Sequence, residues 1–271
     1  MALTISTNAP SLAHLNFINK MLAKHTERLS SGLRINSASD DPAGYAVATN
    51  LHSTQRSVSQ AIRNTNDGAS FIQTAEAANS EVQNLVTRMR ELAVQGSSST
   101  LTSSQRTNLQ TELDEIVTEI SRVSANTEFN DISLTNGSNP TLSVQVGPNG
   151  GSNNQVTMTF GDLQTSTLGI DSISLSNATT SSAAITTIDT ALDTLSGYAA
   201  QYGATQSRFD SNISNLEIYR SNLQSSYSGI MDADYALESA AFSKFQTQQQ
   251  AAIAVMAQAN INRQAILQLL G

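Results

Sequence analysis

Apolar positions recur at alternating intervals of three and four along most of this chain, the spacing that lines one face of a helix. Near the N-terminus Ile5, Leu12, Leu15, Leu22, Leu29 and Leu33 fall on one such register, with Asn8, Asn19 and Thr26 in slots between them. Near the C-terminus Ile253, Met256, Leu267 and Leu270 fall on another, interrupted by Asn260 and Arg263. A helix cannot bury so narrow a seam by itself, so residues 1–42 and 228–271 are expected to pair with each other or with other copies of the chain. The polar members of the seams either fix register and partner number or face water.

Between the ends lie three longer patterns. Asp41 is a good N-cap and Pro42 suits the first helical position, so a helix is predicted to start there. Val58, Ala61, Thr65, Ile72, Ala75, Asn79, Val82, Val86 and Met89 carry its seam toward Gly96. A helix over 43–95 would be roughly 80 Å long at about 1.5 Å per residue. After the turn GSSSTLTSS, Thr102 and Gln105 form a capping-box pair, and Leu109, Leu113, Ile116, Ile120 and Val123 mark a helix over 104–125 that folds back on the first. TLSVQVG and QVTMTFG then alternate with period two, predicting a β-hairpin over 141–161, while 162–182 carries no signal. From Ile185 to Tyr227 the 3-4 spacing returns without a break through Ile188, Leu195, Tyr202, Phe209, Leu216 and Leu223.

The expected fold is therefore mainly α. It comprises an elongated antiparallel coiled-coil rod over 43–227 with a small β-hairpin, and terminal helices, 1–42 and 228–271, pairing as a coiled coil. Ordering a residue costs about 1–2 kcal/mol of backbone entropy, and burying a Leu or Ile returns about 1.5–3 kcal/mol. With leucines so sparse in the seams, the two ends are expected to be largely disordered alone and to fold on assembly.

Composition narrows the chemistry. Charged residues make up 13% of the 271 residues and aromatic residues 5%, so neutral polar side chains provide most of the solvation. A formal net charge of -8 argues against a sequence-independent grip on nucleic acid or an anionic membrane. The absence of cysteine excludes disulfides, thiol catalysis and thiolate metal sites. The first residues lack the basic and continuous apolar regions of a cleavable secretory signal. The apolar run Ala251–Ala257 is far shorter than the roughly 20 residues a membrane span needs.

No catalytic constellation emerges. His14, His25 and His52 are not at metal-ligand spacing, H-E-x-x-H is absent, and isolated surface imidazoles are expected. Asp40-Asp41 reads as helix capping rather than an acid/base or metal pair, since Pro42 follows. GPNGG at 147–151 has no following helix and reads as a turn, not a phosphate loop. No cofactor is expected.

The motifs ISTNAPSL, RLSSGLRINSASDDPAGYAVA, RNTNDGASFIQTAEAAN, MRELAVQ, RVSANTEFND and AQANINRQAILQLLG occur in that order, and through them the chain resembles the bacterial flagellins over nearly its full length. The resemblance implies a structural subunit, not an enzyme, that polymerises into a hollow helical filament used for motility, with the terminal segments pairing around its central channel. The short middle implies that the outer variable domains of longer members are absent. It further implies export through the flagellar type III apparatus to an extracellular location, a secretion chaperone at the C-terminus, and flagellar cap and hook-junction proteins as partners. From the same resemblance, Arg88, Leu92 and Glu112 match the contact of a vertebrate flagellin-sensing Toll-like receptor; packing between subunits is the alternative role. A hook-filament junction protein of similar terminal design, or an enzyme or adhesin on a coiled-coil stalk, are the other readings.

Overall fold

The computed structural model describes residues 9–270; Ile5 and Asn8 lie outside the described residues, as do the side chains of Arg263, Leu267 and Leu270. The architecture is mainly α: helices α1 (Ala9–Ser31), α2 (Pro42–Gly96), α3 (Ser103–Asn126), α4 (Ala178–Met231) and α5 (Tyr235–Leu270). Strands β1 (Glu128–Phe129), β2 (Ile132–Ser133), β3 (Thr141–Gln145) and β4 (Gln155–Thr159) lie between α3 and α4. The chain divides into two compact units, Arg56–Arg220 and, separately, the residues through Gln55 with those from Ser221.

Local chemistry sets the helix ends. Asp41 Oδ1 accepts from the Gly44 N–H at 3.0 Å, opening α2 just ahead of Pro42. Thr102 and Gln105 make the reciprocal capping box of α3. Asn177 Oδ1 accepts from the Thr180 N–H at 2.9 Å where α4 begins, and Asp234 Oδ1 does the same for Ala236 and Leu237 at the start of α5. Helix α1 stops at Gly32, whose φ of 71° is a left-handed conformation that returns its N–H to the Arg28 carbonyl at 2.9 Å. The expected N-terminal seam therefore breaks before Leu33, which instead forms an isolated antiparallel bridge with Asp232.

Within Arg56–Arg220, α3 and the N-terminal half of α4 both run antiparallel to α2. On α2, Val58, Ala61, Thr65, Ile72, Ala75, Asn79, Val82, Val86 and Met89 are all buried, on the register of the sequence pattern. On α4, Ile188, Leu195, Tyr202, Phe209 and Leu216 are buried at every seventh position. The intervening contacts fall on Ala184, Ala191 and Thr205 rather than on Ile185, Leu192 and Gln206, which are half-buried. Packing against two neighbours widens the buried stripe beyond a two-helix seam.

One core joins Val82, Val86 and Leu92 of α2 to Leu113, Ile116 and Ile120 of α3 and to Ile188 and Leu195 of α4. Leu163, Leu168, Ile170 and Leu175 complete it from the non-helical segment before α4. That segment, where the sequence carries no periodic signal, is thus an apolar strap over the helices. A second core places β3 and β4 over Ile72, Tyr202 and Phe209. The strands pair antiparallel from Thr141↔Thr159 to Gln145↔Gln155. The shorter ladder β1–β2 turns through Asn130 and Asp131, whose φ of 51° and 61° suit the tight two-residue hairpin turn.

Candidate assembly interface

In the unit that holds both ends, α1 packs antiparallel on α5. The contact is thin: among the described side chains of α1 and α5 only Ile18, His25 and Glu238 are buried. Leu15, Leu22 and Leu29 flank that line half-buried, as does Met256 on α5, while Leu12 and Ile253 remain 54% and 51% exposed. The intrachain contact therefore uses a line shifted by one residue from the expected register, through Ile18 and His25. The seam residues are left partly or wholly open.

The buried polar group in this contact is absent from the sequence pattern. His25 Nδ1 meets Glu238 Oε2, and Arg28 donates to Glu238 Oε1 at 3.0 Å. The imidazole stacks on Phe245 with ring centroids 5.2 Å apart. His25 is thus not the isolated surface imidazole that spacing suggests; a partner 213 residues away in sequence gives no local signal. Burial would raise the Glu238 carboxyl, but hydrogen bonds from His25 and Arg28 outweigh it and hold the group below its ordinary value. Nearby, Lys24 Nζ pairs with Asp40 at 2.8 Å; that bond, with backbone N–H groups of Asn36 and Ser37, lowers Asp40 to about 2.

Below this contact the chain closes on itself. Arg34 N donates to the Met231 carbonyl at 2.6 Å, Ala233 N to the Gly32 carbonyl at 2.9 Å, and the Tyr235 hydroxyl to the Leu29 carbonyl at 2.9 Å. Ile35, Ala48 and Met231 form the small core here.

The exposed large apolar side chains are concentrated in this unit. Leu12 and Phe17 on α1, Tyr45 and Val47 at the start of α2, and Tyr235, Leu237, Ile253, Val255 and Ile261 on α5 all face outward. Pro10, Ser11 and His14 face Ala251, Ala252, Val255 and Met256 across a shallow groove of mainly apolar surface. A run of exposed apolar side chains along two helices is the mark of a surface that another chain covers.

In the other unit, Arg88 reaches Glu112 Oε1 through Nε at 2.9 Å and Glu91 Oε2 at 2.8 Å. Glu112, which also accepts from Arg88 Nη2 at 2.6 Å, and then Glu91 raise the guanidinium above its ordinary value. Arg88 and Glu112 are exposed, whereas Leu92 is only 1% exposed and belongs to the core. Of the three residues that the resemblance singles out, the structure brings Arg88 and Glu112 together at the surface and packs Leu92 inward against α3.

His14 and His52 are exposed, and no group of three or more His, Asp or Glu side chains is placed to hold a metal among the described residues. No described helix is long and apolar enough to cross a membrane.

Residues 5–140 match the bacterial flagellin N-terminal helical region, and residues 185–270 match the bacterial flagellin C-terminal helical region. The flagellin of Halalkalibacterium halodurans is 39% identical over 269 residues, covering 98% of this chain and 99% of that protein. The flagellar filament core protein flaB2 of Brachyspira hyodysenteriae is 35% identical, with 94% of each chain covered. Among solved structures, Bacillus cereus flagellin superposes with a TM-score of 0.51 at 27% identity, covering 57% of this chain and 88% of that one. The two matched regions leave only the β3–β4 hairpin, the apolar strap and the first turns of α4 between them, with no room for a variable outer domain. The chain belongs to the bacterial flagellin family as a short form, a structural subunit that polymerises into the extracellular flagellar filament.

Proposed function

We propose that the two ends, residues 1–42 and 228–271, are the assembly device of this subunit, with residues 43–227 as the body they join. The observation that carries this reading is the unsatisfied pairing of α1 and α5. Within one chain they bury little, while Leu12, Leu15, Leu22, Leu29, Ile253 and Met256 stay half-buried or exposed along the contact. Leu33, Ile5, Leu267 and Leu270 extend the same seams in sequence. Neighbouring copies supply the missing apolar surface, and because a head-to-tail contact between identical subunits does not close, growth continues as a filament. The ends then order fully only on assembly, which keeps the chain exportable beforehand.

Leu12→Asp is the direct test. The residue is exposed in the single chain, so the monomer's stability should change by less than about 0.5 kcal/mol. Electron microscopy of purified protein is expected to show long filaments for the parent chain and few or none for the variant. Filaments of equal number and length would overturn the reading.

The remaining partners are proposed from the resemblance to the family. The same open ends are the natural docking sites for flagellar cap and hook-junction proteins at the two filament ends, and α5 is the natural segment for a secretion chaperone. For a Toll-like receptor, Arg88 and Glu112 form the accessible charged pair, and Leu92 acts from beneath by fixing the α2–α3 spacing. Arg88→Ala should reduce activation of reporter cells by soluble monomer; unchanged activation would remove the receptor from the list of partners.

A further inference from the structure

The chain contains two Asn-Gly dipeptides, Asn136-Gly137 and Asn149-Gly150, and the structure treats them differently. In such a pair the glycine nitrogen approaches the asparagine amide carbon with little hindrance, because glycine carries no Cβ. Asn136 is half-buried and constrained: its Oδ1 accepts from the Ser138 N–H at 3.0 Å. A carboxylate stands beside Gly137, where a Cβ would lie 2.9 Å from Asp162 Oδ2. Asn149 is exposed at the β3–β4 turn, and a Cβ on Gly150 would meet nothing within 4 Å.

We propose that Asn149 is a site of spontaneous deamidation and isoaspartate formation in this protein, and that Asn136 is protected. The Gly150 N–H loses its proton to solvent base, and the nitrogen attacks Asn149 Cγ. The new C–N bond forms as the Cγ–Nδ2 bond breaks, and ammonia leaves with a proton from water. The resulting five-membered imide adds water at either carbonyl, and one ring C–N bond opens to give aspartate or isoaspartate. Asparagine and water thus become a carboxylate product and ammonia, with no change of oxidation state.

Two features separate the sites. Gln145 Nε2 donates to the Asn149 carbonyl at 2.6 Å, drawing charge from the peptide whose nitrogen must deprotonate. Gln164 gives the Asn136 carbonyl the same help, so that contact does not discriminate. The difference lies in the Asp162 charge, which opposes an anionic nitrogen at Gly137, and in the Ser138 bond, which must break before Asn136 can turn. The product places an additional negative charge on each aged subunit at the hairpin turn.

The experiment is a time course of the full-length protein at mildly alkaline pH, followed by peptide mass mapping and isoaspartate detection at both asparagines. In the folded protein Asn149 is expected to convert at least about tenfold faster than Asn136, a factor corresponding to one constraining hydrogen bond. In concentrated urea the two rates should converge. Equal rates in the folded protein, faster loss of Asn136, or a gap that persists unchanged in urea would each overturn the proposal.

Discussion

Arg106 is the residue with the most structural consequence and the least sequence signal. It is 7% exposed, and its guanidinium donates to the Gly96 carbonyl and, at 2.6 Å, to the Ser98 carbonyl. Gly96 ends α2, where no further helical N–H can serve its carbonyl, and Ser98 lies in the turn that follows. Arg106→Met should therefore destabilise the Arg56–Arg220 unit by about 2–3 kcal/mol, the range for charged hydrogen bonds with buried partners. A lowered urea midpoint at unchanged slope would register that loss. Nothing in sequence marks this arginine, because its partners are backbone atoms across a turn. Glu238 gives the second residue-scale test. Its depressed carboxyl value contributes stability that is fully present above the ordinary 4.5 and is lost as pH falls through the folded value. Asp40, lowered from 3.8 to about 2, loses its contribution in a lower window. Peptide-resolved amide exchange on filaments, corrected for intrinsic rates, is expected to show the α1–α5 contact loosening below about pH 4.5. Glu238→Gln should remove that step.

Helices were legible wherever one face alone is buried. Val58 to Met89 on α2 keep register because a continuous neighbour lies along the helix, and burial repeats what the spacing states; on α4 it does so at every seventh residue from Ile188 to Leu216. Phe209 sits at the centre of such a line, fully buried between α2 and the hairpin, so Phe209→Ala should cost about 3–5 kcal/mol in thermal or urea unfolding. Elements that owe their burial to tertiary contact were not legible. The strap bearing Leu163, Leu168, Ile170 and Leu175 is irregular, so its apolar residues follow no period. The β1–β2 turn had a cue in Asn130-Asp131, a pair that tolerates left-handed backbone, but two-residue strands are too short for alternation to register. On α1 the seam was visible while its partner was not. One chain packs Ile18 and His25 inward, whereas the leucine line runs along the edge of that contact, half-buried at Leu15, Leu22 and Leu29 and open at Leu12. A pattern that serves contacts between copies cannot be assigned from the contacts of one.

At the scale of the molecule, the uneven distribution of burial predicts how the two units respond to loss of the chain ends. The Arg56–Arg220 unit carries two apolar cores built from α2, α3, the hairpin, the strap and α4, and none of their buried members lies in the terminal helices. The α1–α5 pair, by contrast, has one buried isoleucine and a buried ion cluster among its described side chains. A burial deficit of that kind leaves an element near the low end of local stability. Amide exchange on soluble monomer should accordingly show weak protection in both terminal helices and strong protection from Val58 to Met89 and from Ile188 to Leu216; strong protection of both ends would contradict folding on assembly. Removing 1–42 or 228–271 should abolish filament formation, because each deletes one side of the open seam. The same truncation should leave the unfolding transition of the Arg56–Arg220 cores within about 1 kcal/mol of the parent, since neither terminal segment supplies a buried member of those cores. A truncated chain that still polymerises would show that the body carries the assembly contacts. One that loses its cores would show that the two units do not fold independently, and either result would break the division of labour that the exposed leucines and isoleucines imply.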